Sequence, residues 1–404
     1  MPGPSSLPPN ASHVIVTVSG PDRPGITARL TGILVQMGAD LVDIEQVVVR
    51  NHLSLGMLIS IREDRGVLKE LLFAAKELDM SLDFHVVEDG GASQAKPAPR
   101  YVVTAIGKNL GAAEMYALST TLAENHANIA KISRLSHGKL RSVEVHVDLA
   151  QGTNPKPLKE ALLRLGMDGA FDIALQREGI FRRSKRLVVM DMDSTLISIE
   201  VIDELARVHG VVDEVAAVTE KAMAGEMDYD ESLRRRLALL AGLDFAVLKR
   251  IASELPLTEG AENLIRALRR LGYRTAVISG GFSVAAESLK AQLGIDYAYS
   301  NTLEIKDGKL TGRVVGGIVN AKRKAELLDT IAQSEGILLD QVIAVGDGAN
   351  DLLMLEKAGL GIAFRAKPKL QAAADTSITA GGLDSILYLL GLNGQEVDEV
   401  LALP

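Results

Sequence analysis

Two carboxylates stand two residues apart in the pentapeptide DMDST (191–195), directly after the apolar run RLVVM. If the strand geometry persists through them, Asp191 and Asp193 face the same side; a sharp turn would aim both into the crevice at the strand end. Neighbouring acids repel, so a cation or a shared proton is implied. One of the pair can act as a nucleophile, and the other can give a proton and then take one back. The plainer reading is a loop that caps the next helix.

Three further groups follow along the chain. SGGF (279–282) places a hydroxyl at a strand end followed by two glycine amides, which together form an anion cradle. Lys324 lies in the AKRK stretch, where a lone lysine would ordinarily be a surface charge. VGDGAND (345–351) supplies Asp347 and Asp351 among flexible glycines, a set of hard oxygen donors suited to magnesium; its plainer reading is a glycine-rich turn with a helix cap. The order is acid pair, phosphate cradle, lysine, second acid cluster. That succession is hard to obtain from caps and turns alone.

These groups need strands to carry them. RLVVM, RTAVIS (274–279) and QVIAV (341–345) are short apolar strands, each ending in a polar, often glycine-containing loop, with amphipathic helices between them. The pattern predicts an α/β domain over 187–404 with a parallel sheet and ligands at the carboxyl ends of its strands. A mostly helical insert over about 200–260 is positioned to cover that end as a cap.

The first 180 residues read differently. Residues 1–12 are rich in Pro and Ser and read as a disordered tail. From 13 to 88 the order is βαββαβ, a ferredoxin-like α+β pattern: HVIVTVS, a helix ending at Gly38, strands near Ile44–Val49 and Leu53–Ile61, a helix over 67–78, and a strand near Leu82–Val87. DGGASQAKPAP (89–99) reads as a linker. The pattern then restarts over 100–178: YVVTAIG echoes HVIVTVS, and ANIAKISRL (127–135) takes the place of ADLVDIEQV (39–47). The basic stretch Arg182–Arg186 reads as a solvated connector to the third domain.

Composition narrows the function. The 404 residues carry a formal net charge of -8, which argues against a general nucleic-acid binder. With no cysteine there is no disulfide, thiolate metal site or cysteine nucleophile. No apolar stretch is long enough to span a bilayer, and the N-terminus lacks the basic start and apolar run of a signal peptide. The expectation is a cytoplasmic protein.

Residues 187–390 resemble the haloacid dehalogenase superfamily and, within it, the phosphoserine phosphatase family. DMDST matches the first superfamily motif, ISGG the second, Lys324 the third and GDGAND the fourth. MDYDESLRRRLALL (227–240) resembles the family's cap segment and NTLEIKDGKLTGRV (301–314) its β-hairpin; Tyr229 stands where the family has Phe. The resemblance implies a Rossmann-like catalytic domain with a helical cap. It also implies hydrolysis of O-phospho-L-serine, the last step of serine biosynthesis, through a phospho-aspartate on Asp191. Asp193 would be the acid and base. Mg2+ would be held by Asp191, Asp347 and the backbone carbonyl of Asp193. Ser279, Gly280, Lys324 and Asn350 would hold the phosphate, Glu200 the substrate ammonium and Arg236 its carboxylate.

Residues 13–178 resemble two ACT domains, which bind amino acids and often regulate metabolic enzymes. GPDRPGI and the helix after it carry the likeness. The resemblance implies an amino-acid effector, serine among the candidates, bound near Asp22 and Asp40, with Asn109 and Asn128 at the matching places in the repeat. It also implies a homodimer. Two alternatives stay open: a phosphatase or phosphotransferase acting on another small phosphate monoester, and a non-catalytic amino-acid sensor.

Overall fold

The computed structural model describes residues 12–61, 66–87, 99–138, 140–169 and 171–403. The expected tail lies outside the described residues except for Ser12, and so does the expected linker except for Pro99. The chain forms two compact units, Met1–Lys96 and Pro97–Pro404.

The first unit has the expected βαββαβ order: β1 (Ser12–Pro21), a helix Ile26–Met37, β2 (Asp40–Val49), β3 (His52–Ile61), a helix Gly66–Glu77 and β4 (Ser81–Val87). Its four-stranded antiparallel sheet runs β2-β3-β1-β4. Alternate residues Val14, Val16 and Val18 of β1 are fully buried and pack in one cluster with Leu30, Ile33 and Leu71 of the two helices. The period-two pattern of the sequence therefore sets which face the helices cover. Gly38 ends the first helix with φ 63°, a left-handed conformation that glycine adopts without strain.

In the second unit the ferredoxin-like pattern recurs as β5 (Arg100–Gly107), β6 (Ala127–His137), β7 (Arg141–Leu149) and β8 (Asp172–Arg177), with helices Ala112–Glu124 and Lys156–Gly169 between them. The α/β part follows with β9 (Leu187–Met190), β10 (Arg274–Phe282), β11 (Tyr297–Lys306), β12 (Lys309–Val315), β13 (Val342–Gly346), β14 (Leu360–Phe364) and β15 (Thr376–Ile378). Strands β9, β10, β11, β13, β14 and β15 run parallel, and β11 and β12 form the expected hairpin. All four residues of β9 are buried, because helices cover both faces of the sheet. The two parts are not separate layers. Thr376 of β15 pairs antiparallel with Ala174 of β8, giving one sheet of order β12-β11-β10-β9-β13-β14-β15-β8-β5-β7-β6.

Side chains reinforce that join. Asp172 accepts hydrogen bonds from the Thr379 amide (2.8 Å), the Thr379 hydroxyl (2.7 Å) and the Ala380 amide (2.9 Å). The Thr376 hydroxyl donates to Ile173 O at 3.1 Å, and Gln176 donates to Leu389 O at 3.1 Å. The basic connector Arg182–Arg186 departs in part from its expected solvated state. A short helix, Ile180–Arg183, runs into it; the Arg182 guanidinium is buried and lies 2.9 Å from Glu144 Oε2. Lys185 is buried and donates to Asp340 O at 2.6 Å. Two of the connector's four basic side chains thus find protein partners instead of water, while Arg183 and Arg186 are exposed.

Candidate active site

Parallel strands deliver the polar groups to one place. The order around β9 is β10-β9-β13, so the carboxyl ends of β9, β10 and β13 meet where the chain reverses its winding direction, the usual ligand crevice of such sheets. Past Met190 the backbone turns sharply. Ser194 takes φ 57°, the Asp191 carboxylate accepts from the Met192 amide at 2.7 Å, and the Asp193 carboxylate accepts from the Val201 amide at 2.9 Å. Of the two geometries the sequence left open, the sharp turn is the one adopted. Both carboxyls are nearly buried, at 4% and 9% exposure.

Lys324, fully buried in the first turn of the helix Ala321–Ser334, places Nζ 2.8 Å from Asp191 Oδ1 and 2.7 Å from Asp351 Oδ1. Burial alone would lower its pKa, but the Asp191 and Asp351 charges outweigh burial and hold it above the ordinary value. The Ser279 hydroxyl lies 3.3 Å from Asp193 Oδ2 and accepts from the Gly281 amide at 2.8 Å. Glycine is needed at 280 and 281, since a Cβ would strike the Tyr229 hydroxyl at one and the Asp193 carboxylate at the other.

The carboxyls of Asp191, Asp347 and Asp351 each offer an oxygen within 4.8 Å of the others. Three hard oxygen donors so close fit a divalent cation such as Mg2+. Their charge state says the same. Burial and then the Asp191 charge push Asp347 up to about 8 and Asp351 to about 7. Burial, then Glu200 and Asp191, raise Asp193 well above its ordinary value. Asp347 also accepts from the Thr195 hydroxyl at 3.1 Å. Thr195 was not singled out from the sequence, although it belongs to DMDST.

A cavity of about 660 Å³ opens above this floor, lined among others by Asp193, Glu200, Tyr229, Arg236, Gly280 and Asn350. Its roof comes from the helical insert, with helices Val201–His209, Val212–Met223, Tyr229–Leu239 and Phe245–Ser253. Glu200 accepts from the Ser194 hydroxyl at 2.8 Å. Surrounding protein, then the Asp191 and Asp203 charges, raise its pKa. Arg236 Nε is buried and has no hydrogen-bond partner among the described residues, so an anionic group entering the cavity would complete its bonding. The structure thus brings Asp191, Asp193, Glu200, Arg236, Ser279, Gly280, Lys324, Asp347 and Asn350 around one chamber.

Of the four residues expected to bind an effector, Asp22 and Asp40 belong to the first unit, and Asn109 and Asn128 to the ferredoxin-like part of the second. Asp22 is exposed in the turn after β1, where its amide donates to Asn51 O at 2.8 Å, and Asp40 opens β2 opposite Ser60. Asn109 is exposed after β5, and Asn128 is exposed in β6 opposite Asp148.

The chain is also similar to known proteins in sequence and in structure. Residues 185–359 match the haloacid dehalogenase-like hydrolase family, and residues 12–85 and 100–176 each match an ACT domain family. The chain is 44% identical over 387 residues to a phosphoserine phosphatase of Streptomyces coelicolor, covering 95% of this chain and 93% of that one. It is 41% identical over 393 residues to the phosphoserine phosphatase SerB2 of Mycobacterium tuberculosis, covering 96% of each. Among solved structures, a probable phosphoserine phosphatase of Vibrio cholerae superposes with TM-score 0.57 at 35% identity, covering 74% of this chain and 89% of that one. A haloacid dehalogenase family hydrolase of Salmonella enterica superposes with TM-score 0.64 at 30% identity, covering 72% and 98%.

Proposed function

This chain belongs to the phosphoserine phosphatase family of haloacid dehalogenase-like hydrolases and carries two ACT domains, and we propose that it hydrolyses O-phospho-L-serine to serine and phosphate, the last step of serine biosynthesis. The observation that carries the substrate is Arg236. Its unpaired guanidinium nitrogen is buried on the wall of the chamber whose floor holds Asp191 and Lys324. A guanidinium offers two parallel donors to a carboxylate, and Glu200 supplies a negative partner for an ammonium. Together they read the two charged ends of an amino acid.

The chemistry follows from the floor. Asp191 attacks phosphorus and becomes an acyl phosphate while the serine oxygen leaves. Asp193 begins protonated, as its raised pKa favours, and gives that proton to the leaving oxygen. It then takes a proton from the water that hydrolyses the acyl phosphate. Ser279, the Gly280 amide and Lys324 hold the phosphoryl oxygens through both steps, with Asn350 beside them. Mg2+ held by Asp191, Asp347 and the Asp193 carbonyl, with Asp351 adjoining, would offset repulsion between nucleophile and phosphate. The helical roof excludes water from the intermediate.

Along the chain, 13–88 and 100–178 form two sensing modules and 187–404 the catalytic module with its cap at 200–260. We assign Asp22 and Asp40, with Asn109 and Asn128, to binding an amino-acid effector, serine first among candidates, in a cytoplasmic homodimer. The test is phosphate release from phosphoserine with and without Mg2+, alongside a panel of other small phosphate esters. Mg2+-dependent release that is fastest for phosphoserine is expected. A different preferred ester would overturn the substrate, and no release from any ester would overturn the enzyme.

A further inference from the structure

We propose that Asn301 is a positioning residue that locks the phosphate cradle to the helix carrying Lys324, and so sets how tightly the chamber holds a phosphoryl group. The inference rests on the phosphatase reading above. It starts from an irregularity in the sheet. Strands β10 and β11 pair at Ile278 with Tyr299 and next at Phe282 with Asn301. Three residues, Ser279, Gly280 and Gly281, therefore bulge out opposite the single residue Ser300. The bulge makes the cradle, and it also removes that loop from the ladder that would hold it. Two glycines leave the loop little side-chain packing of its own.

The Asn301 side chain replaces the missing ladder. It is 1% exposed. Its Nδ2 donates to Gly280 O at 2.7 Å, and its Oδ1 accepts from the Val319 amide at 2.8 Å. Val319 directly precedes Asn320, whose side chain caps the helix Ala321–Ser334 by accepting from the Arg323 amide. The Lys324 amide donates to Asn320 O at 2.8 Å. One buried amide thus spans from the cradle to the start of the lysine helix, with donor and acceptor both used. The cap reaches the same carbonyl more loosely, with the Tyr229 hydroxyl at 3.4 Å from Gly280 O. Losing the Asn301 bridge frees the peptide planes of the bulge and the position of Lys324 together, and displacement of such groups by an ångström weakens catalysis on the order of 100-fold.

The experiment titrates inorganic phosphate into the Mg2+-loaded full-length chain by calorimetry, for the native protein, Asn301→Ala and Asn301→Ser. Asn301→Asp keeps the size and the acceptor for Val319 and serves where the smaller side chains do not fold. A phosphate Kd weakened about tenfold or more is expected. The kcat/KM should fall in parallel, with no change in preference between phosphoserine and an ester lacking the carboxylate, because Glu200 and Arg236 are untouched. A merely structural Asn301 would lower the active fraction and leave the phosphate Kd of the folded protein unchanged; that result overturns the proposal. If the native chain binds phosphate but leaves phosphoserine intact, the substrate reading fails while the role of Asn301 is still decided by the Kd values.

Discussion

Lys324 sits between Asp191 and Asp351, 2.8 Å from one carboxylate and 2.7 Å from the other, with no access to solvent. A buried cation shared by two acids holds the Asp191 carboxylate in one orientation before any ligand arrives. It also means that any change at Asp191 is felt by a charge that still has a second partner. Asp191→Asn should therefore leave the fold intact, while turnover falls by more than about 1,000-fold because an amide is a poor nucleophile toward phosphorus. Acid quenching with labelled substrate, followed by peptide mapping, should place the label on Asp191 in the native chain and nowhere in the variant. Label on a serine or a histidine would refute the mechanism.

Arg236 is the residue proposed above to hold the substrate carboxylate. A point charge replaces a two-pronged donor poorly. Arg236→Lys should raise KM for phosphoserine about tenfold, and leave kcat/KM for phosphoethanolamine, which lacks the carboxylate, within about twofold. Parallel losses for both esters would mark Arg236 as a support for the cap rather than a reader of substrate.

Metal and protons compete for the same oxygens. Asp347 rises from an ordinary 3.8 to about 8 without a cation. Between those values the folded chain holds a proton that the unfolded chain has released, so folding takes up protons. The stability of the metal-free protein then falls as pH rises from about 4 to 8. Mg2+ should reverse that trend and release protons as it binds, with weaker apparent affinity at pH 6 than at pH 8. Thermal midpoints with EDTA and with Mg2+ across this range check the sign. A metal-free protein that grows more stable toward pH 8, relative to the loaded one, would contradict it.

Effector binding is tested at the four residues assigned to it. Asp22→Ala and Asp40→Ala should weaken calorimetric binding of the effector amino acid, and adding Asn109→Ala and Asn128→Ala should abolish that binding and the change in rate it produces, while phosphoserine turnover without effector stays within about twofold. A ligand shifts activity only through differential binding to two states. An unchanged serine response in the variant carrying all four substitutions would locate that response in the active site, as product inhibition.

Much of this site was legible because its parts sit where short apolar strands stop. RLVVM, RTAVIS and QVIAV announce buried strands, and the polar residues just beyond each one converge through topology alone. The ferredoxin-like halves were legible through their alternating and helical periods. Other features leave no local trace. Asp351 reads as a cation ligand, yet its carboxylate also engages Lys324 from 27 residues away in sequence. Asn301 is one asparagine in a strand, and its role exists only because the neighbouring strand bulges. The charges of Arg182 and Lys185 suggest water, but their partners are distant in sequence: Glu144 on β7 for Arg182, and Asp340, set beside Lys185 by the pairing of β9 with β13.

The join of β15 to β8 decides where the molecule can be divided. Deleting residues 1–180 would look like removal of two regulatory modules from an independent enzyme. It would also strip β8 from β15, leaving a raw strand edge beside Thr376 and robbing the Thr379 and Ala380 amides of Asp172. Such a fragment would tend to aggregate, and its inactivity would say nothing about control. A cut after Lys96 severs no strand pair of either sheet. For the same reason, a protease that nicks the chain near Ser184 should leave the two pieces bound together, held by β-pairing and buried side chains across the cleavage point.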